Sequence, residues 1–214
     1  MKRIFLSVLF ICTFLSHLTA QTGKESELIK QNYIRSVIGQ DESKQAFLQL
    51  LSKIPPEKEV SDQNVIELQQ LYPIRREEIH RLISTIRGDG SWSDINYADT
   101  KRSGWEPKQH AERILKLTKY YAREKENASA QEISAVTSII HQAMNYWFTE
   151  KLVCKNWWYN QIGIPRTLGP AFLLFEAEMT EKEKQEAVRV MEQSHFGMTG
   201  QNKVWLAGNV LIRA

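Results

Sequence analysis

The sequence predicts an all-α fold made of antiparallel helical hairpins stacked side by side. Three observations carry that expectation. Apolar residues recur three and four positions apart through nearly every segment from Glu27 onward, which marks one buried face of a helix. The breaks between these segments hold Pro, Gly or N-capping residues, which start or stop helices. No stretch sustains the apolar–polar alternation of a half-buried strand.

Taken in order, Glu27 to Ile38 sets Leu28, Ile29, Ile34, Val37 and Ile38 on a broad apolar face, and Gly39 ends it. Phe47, Leu48, Leu50, Leu51 and Ile54 make a second element, stopped by Pro55-Pro56. Val65, Ile66, Leu68 and Leu71 make a shorter one before Pro73. Arg75 to Ile86 follows, with Ile79, Leu82, Ile83 and Ile86 in helical register. From Arg87 to Glu106 the period vanishes, and Gly88 to Asp94 is turn chemistry around Trp92. Pro107 suits the first turn of a long helix reaching Glu126, with a stripe of Ile114, Leu115, Leu117, Thr118 and Tyr121. Ser129 and Glu132 have capping-box spacing and open a helix to Lys151. Its face is Ile133, Val136, Ile139, Ile140, Ala143, Met144 and Trp147. After a polar joint comes the apolar run Ile162 to Phe175, with Pro165 at its start and Pro170 placed either to bend it or to hold it to a short first turn. Thr180 and Glu183 form a second capping box for a helix to Ser194. A Gly-containing loop from His195 to Asn202 leads to a last helix from Lys203, carrying Val204, Leu206, Val210 and Leu211. The sequence stops within that helix, so 214 residues are expected to be a fragment of a longer chain.

Residues 1–20 read as a secretory signal peptide. Lys2 and Arg3 give the positive start, Ile4 to Leu15 the apolar stretch, and Ser16 to Ala20 the cleavage region. Export to the periplasm or the outside is the expectation, leaving 21–214 as part of one helical domain. Of 28 basic residues, loss of Lys2 and Arg3 leaves 26 against 25 acidic ones, a charge of +1. So balanced a chain has no global field for nucleic acid, and any pull on a polyanion must come from a local cleft. Cys12 departs with the leader, so Cys154 has no intrachain partner and the core must hold the fold without disulfides. The mature segment contains no apolar run long enough to span a bilayer. Nothing in it sets an oligomeric state.

The segment Asn156-Trp157-Trp158-Tyr159-Asn160-Gln161 carries the most chemistry. Neighbours on a helix diverge by about 100°, so two adjacent tryptophans cannot both enter the core. One reading makes the pair a stacking platform for the apolar faces of sugar rings, with Asn156, Asn160 and Gln161 as amide partners for hydroxyls. The other makes one Trp a core anchor and the second a loop seal. His80, His110, His141 and His195 show no metal-ligand spacing. Asp89 and Asp94 read as turn caps, Tyr120-Tyr121 as core and rim, and Arg75-Arg76 and Lys101-Arg102 as solvated charge.

Asn156-Trp157-Trp158 followed by Ile162-Gly163-Ile164-Pro165-Arg166 resembles the N-W-W-x-x-E-I-G-x-P segment of polysaccharide lyase family eight. Asp89-Gly90-Ser91-Trp92-Ser93-Asp94 with Tyr97 is similar to its D-G-S-W-x-D-x-x-Y segment, and Thr199-Gly200-Gln201-Asn202 to its T-G-A-N segment. The resemblance covers roughly Asp89 to the end. It implies an incomplete α/α toroid followed by β-sandwich domains, and β-elimination next to a uronic acid in polymers such as chondroitin or hyaluronan. It implies that Asn202 holds the uronate carboxylate, that Asn156, Trp157, Trp158 and Gln161 bind substrate, and that no metal or organic cofactor is needed. The Tyr, His and Arg of proton transfer lie later in the family's chain than T-G-A-N. This sequence departs from the pattern at Gln161 in place of Glu, at Gln201 in place of Ala, and at Trp205 where some members carry an acid. Two alternatives stand beside this: a non-catalytic glycan-binding module, and Asn202 as the plain N-cap of a helix from Lys203.

Overall fold

The computed structural model describes residues 23–38 and 76–214. The expected signal peptide and the helices expected around residues 47–54 and 65–71 lie outside the described residues. The chain divides into two compact units, Met1–Leu71 and Tyr72–Ala214. In the first, residues 23–38 form a helix, α1, where helical periodicity was expected from Glu27. The second contains α2 (Arg76–Thr85), α3 (Lys108–Glu124), α4 (Ala130–Glu150), α5 (Ile164–Phe175), α6 (Glu181–Met191) and α7 (Gly200–Arg213). A widened π turn, Tyr159–Gly163, leads into α5. No strand forms among the described residues, and one isolated antiparallel bridge joins Ile86 to Trp92. The all-α expectation holds.

Local chemistry explains most of the boundaries. Thr180 caps α6 by accepting from the Glu183 N–H while the Glu183 side chain accepts from the Thr180 N–H, the full reciprocal box. At α4 only half of the expected box forms. Ser129 accepts from the Glu132 N–H at 3.2 Å, but the Glu132 carboxylate turns away to Arg76 and Tyr120. That ion pair holds the Glu132 pKa down at about 2, with Arg76 the main cause. α7 begins three residues earlier than expected. Thr199 is its N-cap and Gly200, at φ +60, its first residue, so Asn202 lies inside the first turn and does not cap it.

Five of the six described helices of this unit fall into two layers of opposite direction. His110, early in α3, bonds the Ala143 carbonyl late in α4, and Tyr120, late in α3, bonds Glu132 early in α4, so the two are antiparallel. Trp105 meets Tyr159 before α3 and α5, and Tyr121 meets Phe175 at their far ends, so those two run parallel. Gly169 packs against both Met191 of α6 and Ile212 of α7. Thus α3, α5 and α7 run one way in one layer, and α4 and α6 run back in the other. Glu183 ties the returning helices together by accepting from His141 Nδ1 and Asn145 Nδ2. Burial pulls its carboxyl up, but the bonds from His141 and Thr180 win and leave it below the usual range.

The loop between α2 and α3 is anchored in the core. Trp92 is fully buried and donates its indole N–H to the Leu82 carbonyl at 3.1 Å. Its backbone N–H donates to the Tyr97 hydroxyl, which lies 2.8 Å from His110 Nδ1. Since His110 Nε2 faces a carbonyl, the neutral ring with its proton on Nε2 satisfies both contacts. Burial lowers the His110 pKa from 6.5 to about 4. The unfolded chain therefore binds this proton more tightly than the folded one. The stabilisation, about 3 kcal/mol, is complete above pH 6.5 and is lost as the pH falls toward 4. An NMR titration of the His110 ring should give a midpoint well below that of a free imidazole. A midpoint near 6.5 would show the ring to be solvated.

Candidate functional site

The site is built on the joint between α4 and α5. α4 ends at Lys151 in the left-handed conformation, φ 48. The chain then reverses over residues that bond one another. Asn160 closes on both backbone groups of Cys154, accepting from its N–H at 2.9 Å and donating to its carbonyl at 2.8 Å. Asn156 accepts from the Trp158 N–H at 3.1 Å and donates to the Arg102 carbonyl at 3.0 Å. These amides, expected to serve sugar hydroxyls, first of all shape the loop. Cys154 is buried and unpaired with another cysteine.

The tryptophans diverge as helical neighbours must. Trp157 is 42 % exposed, while Trp158 is half-buried and set edge to face against Tyr159 at 5.6 Å and Trp205 at 5.9 Å. One ring thus faces outward and the other packs half-buried at the rim, so the expected divergence holds and neither ring is a core anchor. Gly163 makes room for this. A Cβ there would lie 2.7 Å from Trp158 Cζ3, so the glycine of the I-G-x-P segment lets the indole lie against the helix backbone. Trp205, on α7, carries the Arg166 guanidinium over its ring at 4.9 Å.

Asn202 stands three residues before Trp205 on the same helix, hence one turn away on one face. It is half-buried, and its side chain has no hydrogen bond with the described residues. Gln161 is likewise half-buried within the π turn, and its carbonyl accepts from Ser194 Oγ at 2.5 Å. Trp158 therefore reaches α7 through Trp205, one turn from Asn202, and Gln161 lies in the π turn, whose carbonyls meet Ser194 and Asn209.

Other residues follow the sequence reading only in part: Asp89 caps its turn as expected, whereas Asp94 is an ion-pair partner and not a turn cap. Asp89 accepts from the Ser91 N–H and hydroxyl and is held below the usual carboxylate range by them. Asp94 pairs bidentately with Arg113, which depresses it too. The two do not pair as acid and base. Tyr120 and Tyr121 are buried, with burial and the bonded Glu132 and Glu178 pushing both hydroxyls up to about 12. Arg76 is a partner of Glu132, not simply solvated charge. Among the described residues, no three His, Cys, Asp or Glu gather as a metal would need, and no helix is long and apolar enough to cross a membrane.

Three positions near this joint carried no pattern in the sequence. Phe196 is 64 % exposed in the loop before Asn202, and lone aromatics in loops carry no pattern. Ser194 and Asn209 are fully buried polar residues that bond the π turn. The only signal for them was Pro165, whose missing N–H leaves a carbonyl in need of a donor.

Comparison with known proteins matches this architecture. The helical-domain family described as polysaccharide lyase family 8, N terminal alpha-helical domain, matches residues 56–214. Chondroitinase-AC of Pedobacter heparinus is 26 % identical over 136 residues, which cover 62 % of this chain and 19 % of that protein. The solved structure of chondroitinase AC lyase, studied as oligosaccharide complexes, aligns with a TM-score of 0.56 at 23 % identity, over 66 % of this chain and 22 % of that one. The chain thus spans about a fifth of the length of these relatives. With the helical-domain match covering most of its length, the chain belongs to polysaccharide lyase family 8.

Proposed function

We propose that this chain supplies the sugar-binding part of a lyase site that cleaves a uronic-acid polymer, a glycosaminoglycan such as chondroitin or hyaluronan, by β-elimination. The observation that carries the reading is the placement of Asn202 one turn from Trp205, whose ring touches Trp158. In this reading Trp157 and Trp158 take the apolar faces of sugar rings. The second amide hydrogen of Asn156, together with Gln161, serves their hydroxyls. Removing the proton beside the uronate carboxylate pushes further negative charge onto that group. The Asn202 amide donates to it without adding a full charge, and the positive end of α7 favours the anion. The relative's name, Chondroitinase-AC, supports chondroitin as the first substrate to try. The protein is proposed to act after export and loss of residues 1–20, with proton transfer supplied by residues further along a longer chain.

The test is to mix chondroitin sulfate and hyaluronan with the full-length protein and with the 214-residue chain, and to follow the ultraviolet absorbance of unsaturated uronate ends. The full-length protein is expected to release them. The 214-residue chain is expected to bind the polymer and release none. Trp157→Ala should fold normally, since Trp157 lies at the surface, and should weaken oligosaccharide binding by roughly 1–3 kcal/mol. A full-length protein that binds glycan without producing unsaturated ends would favour the non-catalytic module. Unchanged affinity in Trp157→Ala would remove that ring from the site.

A further inference from the structure

Resting on the reading above, in which the tryptophan pair and Asn202 touch sugar, we infer that Ser194 and Asn209 are positioning residues: a buried polar clamp that fixes the aromatic pair and Asn202 in one register. The need for the clamp begins at Pro165. In a regular helix the residue at 165 would donate its N–H to the Gln161 carbonyl, but proline has none. The helix widens instead, with the Ile164 N–H reaching back to the Tyr159 carbonyl, a rare turn that is frequent at functional sites.

Two side chains catch the carbonyls of this turn. Ser194 Oγ donates to the Gln161 carbonyl at 2.5 Å. Asn209 Nδ2 donates to the Ile162 carbonyl at 3.3 Å and to Ser194 Oγ at 3.0 Å. A hydroxyl has one hydrogen, so the chain has one direction: Asn209 amide to Ser194 hydroxyl to Gln161 carbonyl. Ser194 is 0 % and Asn209 1 % exposed, where an unsatisfied polar group would be costly. Apolar residues at both positions would fill the space without that risk. What the polar chain adds is geometric specificity, because it closes in only one arrangement of the π turn against α7.

That arrangement matters to the site. Asn202, Trp205 and Asn209 sit at i, i+3 and i+7 of α7, along one face. Asn209 ties one end of the face to the π turn, Trp205 meets Trp158 in the middle, and Asn202 stands at the other end. A slip or rotation of α7 would move Asn202 relative to the ring that receives the sugar. The clamp holds that separation without touching substrate.

The experiment compares Ser194→Ala, Ser194→Thr and Asn209→Asp, alone and with Pro165→Ala for the Ser194 variants, in the full chain. Near-ultraviolet circular dichroism reads the Trp158–Trp205 pair, far-ultraviolet dichroism reads helix content, and calorimetry reads the affinity for a chondroitin tetrasaccharide. Ser194→Ala and Asn209→Asp are expected to change the aromatic signal at constant helix content and to weaken affinity roughly tenfold, the scale of one net hydrogen bond. Ser194→Thr keeps the hydroxyl and should keep both readouts. Pro165→Ala returns an N–H to the Gln161 carbonyl, so in that background Ser194→Ala should matter much less. Wild-type aromatic signal and affinity in both Ser194→Ala and Asn209→Asp would overturn the clamp. So would equal damage by Ser194→Ala with and without Pro165. If Asn209→Asp does not fold, the Ser194 series decides. Absence of tetrasaccharide binding by the wild-type chain would overturn the glycan reading, and the aromatic signal would still judge the clamp.

Discussion

Gly90→Ala is expected to destabilise the Tyr72–Ala214 unit by about 2–5 kcal/mol, because it combines backbone strain with a clash that cannot relax. Gly90 sits at φ +91, and a Cβ there would lie 2.3 Å from the Gln142 carbonyl oxygen and 2.8 Å from its carbon. Those are backbone atoms within α4, so no rotamer change removes the contact. Nor can the loop retreat. Trp92 is buried with its indole on the Leu82 carbonyl, the Arg87 N–H donates to the Ser91 carbonyl, and Asp89 grips Ser91 twice. Gly88→Ala is the control, since nothing lies within 4 Å of its Cβ position, and it should stay within about 0.5 kcal/mol of wild type. Urea unfolding of the two variants checks the pair. A Gly90→Ala protein as stable as Gly88→Ala would mean that the loop is not held against α4.

The same loop shows what could be read from sequence and what could not. Asp, Gly and Ser around Trp92 announced a turn, because each has a local reason to be there. The surfaces that receive it, the carbonyls of Gln142 and Leu82, are backbone atoms that leave no mark in the side-chain pattern. Helix ends followed the same division. Thr180 with Glu183 was decided within one turn and formed as expected. Ser129 with Glu132 had the same spacing, but Arg76, 56 residues earlier, captured the carboxylate, and a charged partner outweighs a backbone N–H.

For the site, adjacent tryptophans had to diverge, so an outward Trp157 was legible from helical geometry alone. The start of α7 was not. Glycine is a poor helix former, which argued for a start after Asn202, whereas Gly200 enters the helix as its first residue at positive φ. Asn209 and Ser194 were silent because a single buried polar residue has no period. Only the missing donor at Pro165 hinted that the turn after the tryptophans needed help from elsewhere in the chain.

Asn202→Asp, made in the full-length protein, is expected to lower kcat on chondroitin by about 100- to 1,000-fold while leaving the fold intact, the scale seen when one donor to a developing anion is removed. The position separates the two effects. Thr199 is the N-cap of α7, so Asn202, third in the helix, is not needed to start it. A carboxylate in the first turn meets the positive end of the helix and should cost no stability, adding about 0.3–1 kcal/mol if anything. In the proposed reaction the same change would replace an amide donor by an anion facing a carboxylate whose charge must grow. Asn202→Ala removes the donor without adding the like charge, so it should be slow but faster than Asn202→Asp. The measurement is kcat for the three proteins, with thermal midpoints taken alongside. A fast Asp variant of normal stability would take Asn202 out of the chemistry, and an Ala variant slower than the Asp variant would show that the lost side-chain polarity matters more than the repelled charge.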